Sequence, residues 1–266
     1  MKAAIDAHLL HLLKGETGLF EMARYAIEGG KRLRPLIAVT VASLYDVPIE
    51  NSLTPACALE LVHTYSLIHD DLPCMDNDDL RRGRPTLHRA YPEGHAVLAG
   101  DFLLTYAFEL LADDPLLSYS QRLRLISCLG KHAGAEGMVG GQLIDLDSTG
   151  EKISADQLLT MHAMKTAALI SAAFCFGAII ADVNQKEEGK LKQIGHYLGL
   201  AFQLADDLSD GEELEKGKAT ALSILGKERA IALLDQLAEK AEAGILQLEQ
   251  QPASELHHLA SFMLKI

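Results

Sequence analysis

Apolar residues recur at three- and four-residue spacing along almost the whole chain, the period of helices that bury one face. The pattern predicts helices at roughly 3–14, 19–28, 33–45, 54–71, 95–112, 119–132, 135–146, 155–181, 187–209, 219–225, 228–249 and 254–264, each end good to about 2–4 residues. No Pro-, Gly- or Ser-rich linker and no short-period repeat divides them, so residues 1–266 read as a single all-α domain. The longest interruption is 72–94, where Pro73, Gly83, Pro85, Pro92 and Gly94 break any regular element. Loops of that length within a compact domain are more often functional than decorative.

Composition narrows the picture. Of 266 residues 48% are apolar, enough for a sizeable core, and the absence of Trp with seven Phe and seven Tyr predicts helices packed on aliphatic side chains. A formal charge of −13 argues against a general nucleic-acid or anionic-membrane binder, which needs surplus Lys and Arg. Cys57, Cys74, Cys128 and Cys175 form no CxxC pair, which fits reduced thiols and a cytoplasmic location. Residues 1–30 lack the features of a secretory signal, and no uncharged apolar run reaches the ~20 residues that span a bilayer, so stable membrane insertion is not expected.

Two aspartate clusters about 130 residues apart, Asp70-Asp71-Leu-Pro-Cys-Met-Asp76 and Asp206-Asp207-Leu-Ser-Asp210, each end an apolar helical run. Two unit charges ~4 Å apart repel by roughly 4 kcal/mol at an effective dielectric of about 20, so a cleft lined by both clusters needs divalent metal, a cationic ligand or raised pKa values. Asp206 and Asp210 share a helix face with Gln203 one turn back, while Asp207 lies about 100° around. His63, almost two turns before Asp70, shares that aspartate's face. An isolated DDxxD is as often a solvated helix end or a calcium loop. The calcium reading fails, because an EF-hand begun at Asp76 would put Leu80 and Arg81 where an oxygen ligand and glycine belong. Oxygen-only ligands suit Mg²⁺ or Mn²⁺ rather than zinc, and Mg²⁺ typically shares carboxylates with substrate phosphates.

The basic clusters point the same way. Gly29-Gly30-Lys31-Arg32-Leu33-Arg34-Pro35 gathers three cations on a turn, and Arg81-Arg82-Gly83-Arg84 gathers three after the first aspartates. Taken alone, the first is most simply a helix end whose cations oppose the dipole; repeated beside carboxylates, both complement phosphate. Lys165-Thr166 sits in an apolar helix, where the lysine could simply snorkel to solvent. Gly140-Gly141 would permit close helix approach, with Gln142 and Asp145 supporting a polar site.

These segments, with Phe202-Gln203-Leu-Ala-Asp206-Asp207, resemble in order the trans-isoprenyl diphosphate synthase family, in particular the bacterial-type farnesyl and geranylgeranyl synthases, across roughly residues 25–225. The resemblance implies a helical bundle of about ten to twelve helices around a central cavity, three Mg²⁺ ions per site (Mn²⁺ as a substitute) and a homodimer. It implies metal binding by Asp70, Asp76 and Asp206, with Asp71, Asp207 and Asp210 supporting. It implies allylic diphosphate contacts from Arg81, Lys165, Thr166, Gln203 and Lys218, and an isopentenyl diphosphate pocket of Lys31, Arg34, His63 and Arg82. Asp70, Asp71, Asp76, Arg81, Lys165 and Asp206 would carry the catalysis. Chain length would be set beneath the first cluster by Tyr65 and Ser66, the bulky ring favouring a C15 product over geranyl or geranylgeranyl diphosphate. The sequence departs from the family pattern after Asp210, where only Glu215-Lys216-Gly217-Lys218-Ala-Thr220 stands in for a longer loop with two lysine motifs, and Lys216 and Lys218 both remain candidates. The start also looks short, as though the first family helix were clipped or absent. Three readings follow: an active head-to-tail synthase, a non-catalytic partner subunit motivated by the shortened loop, and a cyclase or head-to-head enzyme, against which the isopentenyl pocket argues.

Overall fold

The computed structural model describes residues 1–210, 218–250 and 253–264, Asp210 by its backbone alone. Helices α1 (Lys2–Leu12), α2 (Gly18–Ile27), α3 (Leu33–Leu44) and α4 (Glu50–Asp70) precede a two-stranded hairpin, β1 (Leu80–Arg81) and β2 (Arg84–Pro85), and a single turn α5 (Leu87–Ala90). Then come α6 (Glu93–Asp113), α7 (Tyr119–Ala133) and α8 (Met138–Ser148), followed by a rod made of α9 (Ala155–His162), a π-helical turn (Ala163–Ala167) and α10 (Ala168–Ile180). The chain ends with α11 (Gln185–Asp210), α12 (Ala221–Leu225), α13 (Lys227–Ile245) and α14 (Ser254–Met263). The fold is all-α, as the periodicity predicts.

α10 is the axis. Its residues from Leu169 to Ile180 are all buried, so it is apolar on every side, and α3, α4, α7 and α11 pack around it. A helix without a polar face has no stable place except a core. Among the described residues two helices could also cross a bilayer by length and composition: the rod Ala155–Ile180, 72% buried over its most apolar stretch, and α6, 33% buried over its own. Capping boxes start α7 (Ser118, Gln121), α9 (Ser154, Gln157) and α12 (Thr220, Ser223), each satisfying amides that the first turn leaves open.

Three departures from the expected elements have local causes. α4 begins at Glu50, a turn before the expected 54, because Asn51 and Ser52 donate to the carbonyls of Pro48 and Ile49, holding a turn ahead of Pro55. α8 begins at Met138 rather than 135, since Gly137 N–H bonds back to Gly134 O in a turn before the helix. The stretch 72–94 is not wholly irregular, for it holds the hairpin and α5.

Candidate active site

The two aspartate-bearing helix ends meet at one cleft of about 730 Å³, well within the range of small-molecule sites. Asp70 closes α4 and Asp206 lies near the end of α11, and both line it, together with Lys31, Arg34, His63, Tyr65, Ser66, Arg81, Arg82, Lys165, Thr166 and Gln203. Asp76 is returned toward Asp70 by the turn after α4: its N–H bonds Asp70 O at 2.9 Å, and Asn77 N–H bonds Leu72 O at 3.1 Å. Lys218, reaching from the far side of residues 211–217, bonds Asp76 Oδ2 at 3.0 Å. Lys216 and the Asp210 side chain lie outside the described residues.

Asp71, expected to support the metal set, lies behind the cleft wall. One residue on from Asp70 it turns about 100° away, is 3% exposed, and does not line the cleft. Its Oδ1 accepts from Arg81 Nε at 2.7 Å, while Asp78 accepts from Arg81 Nη2 at 3.0 Å, so its geometric task is to aim Arg81. Asp207 is likewise buried, accepting from Gln203 Nε2 at 2.8 Å and from the Ala221 amide at 2.6 Å. It fixes α12 to α11 rather than facing the cleft.

The six clustered cations also divide. Arg32 adopts a left-handed backbone (φ 59°) that turns it inward, where it bonds Asp6, Glu60 and the Ile27 carbonyl at 5% exposure. Arg84 pairs with Glu28 and covers the Tyr25 ring. Arg32 borders the cleft with its fork already paired, and Arg84 does not line it. Lys31, Arg34 and Arg82 do face the cleft. Arg82 and Gly83 form the two-residue hairpin turn at φ 55° and 76°, a type I′ geometry that usually selects Asn-Gly. An arginine held there at positive φ is strained, a condition that clusters at functional sites. Burial lowers Arg34 to about 10, with Glu60 opposing the shift and Arg82 adding to it, so it stays cationic at neutral pH. Burial and the surrounding Arg34, Arg82, Arg81 and Arg32 keep the His63 imidazole neutral. Glu60, 1% exposed with Oε2 unpartnered, is a carboxylate of this wall that sequence reasoning missed. Its visible signal is a glutamate amid Ala58-Leu59 and Leu61-Val62.

Lys165 and Thr166 occupy the π turn, whose wider loop takes up one extra residue within the rod. Lys165 Nζ meets Asp145 Oδ2 at 2.5 Å and Thr166 Oγ1 donates to Gln203 Oε1 at 2.6 Å. A Cβ on Gly141 would run into the Lys165 backbone nitrogen, so glycine lets α8 and the π turn touch. Gly141→Ala should therefore lower thermal stability by about 1–3 kcal/mol, as overpacking does, and lower activity through Lys165. An unchanged melting temperature would show that the two backbones are free to part.

Below the polar rim the wall turns apolar. Met138, Val139, Leu143 and Leu146 of α8, Phe202 of α11 and Met75 line it, Leu143 being 59% exposed. Tyr65 lies under Asp70 at 6% exposure, edge-on to His69. Charge at the top and aliphatic wall beneath match an amphiphile with an anionic head.

Residues 16–258 match the family model described as polyprenyl synthetase. The chain belongs to that family. This polyprenyl synthetase is 39% identical to farnesyl diphosphate synthase of Geobacillus stearothermophilus, over 90% of this chain and 88% of the relative. It is 37% identical to a putative geranylgeranyl pyrophosphate synthase of Arabidopsis thaliana, over 99% and 78%. An FPP/GFPP synthase from Zymomonas mobilis superposes with a TM-score of 0.91 at 41% identity, over 97% of this chain and 94% of that one. The geranyltransferase of Helicobacter pylori, solved with magnesium and isoprenyl diphosphate, gives 0.87 at 32%, over 99% and 96%. The chain is thus a prenyltransferase of the head-to-tail condensing kind.

Proposed function

We propose that the cleft joins isopentenyl diphosphate to dimethylallyl and then geranyl diphosphate, releasing farnesyl diphosphate. The observation that carries this reading is that one cleft is lined by aspartates with Lys165, by a neutral histidine among arginines, and by apolar side chains of α8 and α11.

Asp70, Asp76 and Asp206 would hold Mg²⁺, three ions on the pattern of the family, with Mn²⁺ a workable substitute. The donor set fits. Burial pushes the Asp70 carboxyl up to about 6, Asp76 adding to the rise and Lys165 opposing it, the state of a carboxylate pair short of positive charge. Bound there, Mg²⁺ would neutralise charge developing on the departing diphosphate. Arg81, Lys165, Gln203, Thr166 and Lys218 would grip the allylic diphosphate, and their preorganised charge favours ionisation. Lys31, Arg34, His63 and Arg82 would hold isopentenyl diphosphate so that its double bond attacks the allylic carbon as the carbon–oxygen bond breaks. The proton lost afterwards goes to an oxygen of the released diphosphate. Asp71 serves as the positioning residue for Arg81, and Asp210 supports the second cluster.

Lys218 bonded to Asp76 supports an active enzyme over a non-catalytic partner, since it sets a cation beside the first cluster. Lys31, exposed and facing the cleft, separates condensation from cyclisation. Lys31→Ala should raise KM for isopentenyl diphosphate roughly tenfold to hundredfold, the worth of a charge-assisted hydrogen bond, with KM for the allylic substrate nearly constant. Steady-state kinetics with each substrate varied would overturn the pocket assignment if both constants stayed put. Residues 1–266 would act as one domain in a cytoplasmic homodimer, supported by the outward Leu98 of α6 and Leu116, Tyr119 and Leu123 in and beside α7.

A further inference from the structure

Away from the cleft, α7 and α10 bring together ligand-type side chains that condensation does not use. Cys128 and His132 stand one turn apart on α7, so thiol and imidazole share a face. Cys175 comes from the middle of α10, which packs on α7. Cys128 Sγ lies 3.5 Å from His132 Nδ1, and the three ligand atoms fall within 4.8 Å of one another. A tetrahedral zinc ion with sulfur at about 2.3 Å and nitrogen at about 2.0 Å spaces its ligands roughly 3.5–3.8 Å apart, so the cluster needs closing by at most about 1.3 Å.

The cluster opens to solvent through a shallow cavity of about 380 Å³. Cys128 and His132 are half-buried in its wall, and Cys175 is 3% exposed behind them. That leaves an outward position for water. Lys131 of α7 and Lys192 of α11 border the same cavity, as do Arg124 and Glu188, which pair with each other at 2.7 Å. The two lysines oppose a bare cation but favour thiolates, and two thiolates cancel a divalent charge. Burial keeps His132 neutral, as a ligand must be, although its Nδ1 meets Cys128 O at 2.8 Å and would have to exchange that contact for metal. The hydrogen bond to Cys175, with burial, holds the Cys128 thiol protonated, so binding displaces protons and tightens as pH rises.

We propose that Cys128, His132 and Cys175 form a site for a thiophilic d¹⁰ cation of the zinc class, completed by water. Its soft sulfur and nitrogen donors make it chemically separate from the hard carboxylate site.

Co²⁺ is the probe, added to the reduced full-length protein in excess Mg²⁺. The expected result is sulfur-to-cobalt charge-transfer absorption in the near ultraviolet with strong tetrahedral visible bands, saturating at one equivalent and erased by one equivalent of Zn²⁺. Oxygen ligands at the aspartates give neither signal. Loss of a direct ligand in Cys128→Ser or His132→Gln should weaken Co²⁺ binding by at least the roughly 10–100-fold that outer-shell changes cost. Both side chains are half-buried, so these variants decide the question even if Cys175→Ser fails to fold. No charge-transfer band, or a band unchanged in both variants, overturns the proposal. So does an intact mass two hydrogens lighter that shows a Cys128–Cys175 disulfide and no bound metal under native conditions.

Discussion

Asp70→Asn should lower kcat roughly 10²- to 10³-fold, the usual cost of removing one group aimed at developing charge, while making the metal-free protein more stable at neutral pH. Both effects have one cause. Asp70 sits in a half-buried rim where burial and the carboxylates Asp76 and Asp71 disfavour its charge, raising it from 3.8 to about 6. A raised carboxyl binds its proton more tightly folded than unfolded, so its charge destabilises the fold above pH 6. The penalty shrinks as pH falls from 6 and is gone below the unfolded value of 3.8. Asn removes it at any pH. With each pKa unit worth about 1.4 kcal/mol and partial solvation reducing the sum, the gain at pH 7 is about 1–3 kcal/mol. Denaturation curves in chelator should show it at pH 7 and lose it near pH 4, and Mg²⁺ should stabilise the parent more than the variant. A variant less stable than the parent at pH 7 would mean that Asp70 is not a strained charge.

Tyr65→Ala should lengthen the product beyond C15. The ring lies five residues, about 7.5 Å, down α4 from Asp70, and at 6% exposure it fills its place. Truncation deepens the well for the growing tail. It also removes the edge-on contact with His69, at an expected 1–3 kcal/mol, about what a large-to-small change costs where the void opens to solvent. Chromatography of dephosphorylated products with geranyl diphosphate as primer would show the shift. An unchanged C15 peak would move the floor elsewhere, His69 and Leu146 being the next lining residues to test.

The helices were legible because burying one face writes a 3.6-residue period into the sequence; ends such as Glu50 and Met138 moved, while the four-residue α5 and the π turn left no such signal. Strands of two residues carry no period, which is why Leu80–Arg81 and Arg84–Pro85 read as loop. Spacing also placed His63 on the face of Asp70 and turned Asp207 aside from Asp206, since both follow from helical rotation. Backbone handedness does not show in charge. Lys31, Arg32 and Arg34 look alike as letters, yet the positive φ at Arg32 sends it inward to Asp6 and Glu60. Asp71 shows a related effect: adjacent aspartates on a helix face different ways, and its carboxylate meets Arg81 while Asp70 lines the cleft.

The five residues Ala163–Ala167 act as a dislocation in an otherwise regular lattice. A helix repeats its contacts along its length, so a side chain offset from that repeat needs a defect, and here the defect carries Lys165 and Thr166. The packing marks the same spot from both sides: Gly141 has given up its side chain where α8 crosses, and Gly199 has done so where α11 passes Ala167. Deleting one residue from the turn would heal the helix with its two flanks still in register, and would take away only the local offset that carries Lys165 and Thr166. The more regular protein would be the poorer catalyst, because Lys165 and the aspartates of α11 could no longer face the same cleft.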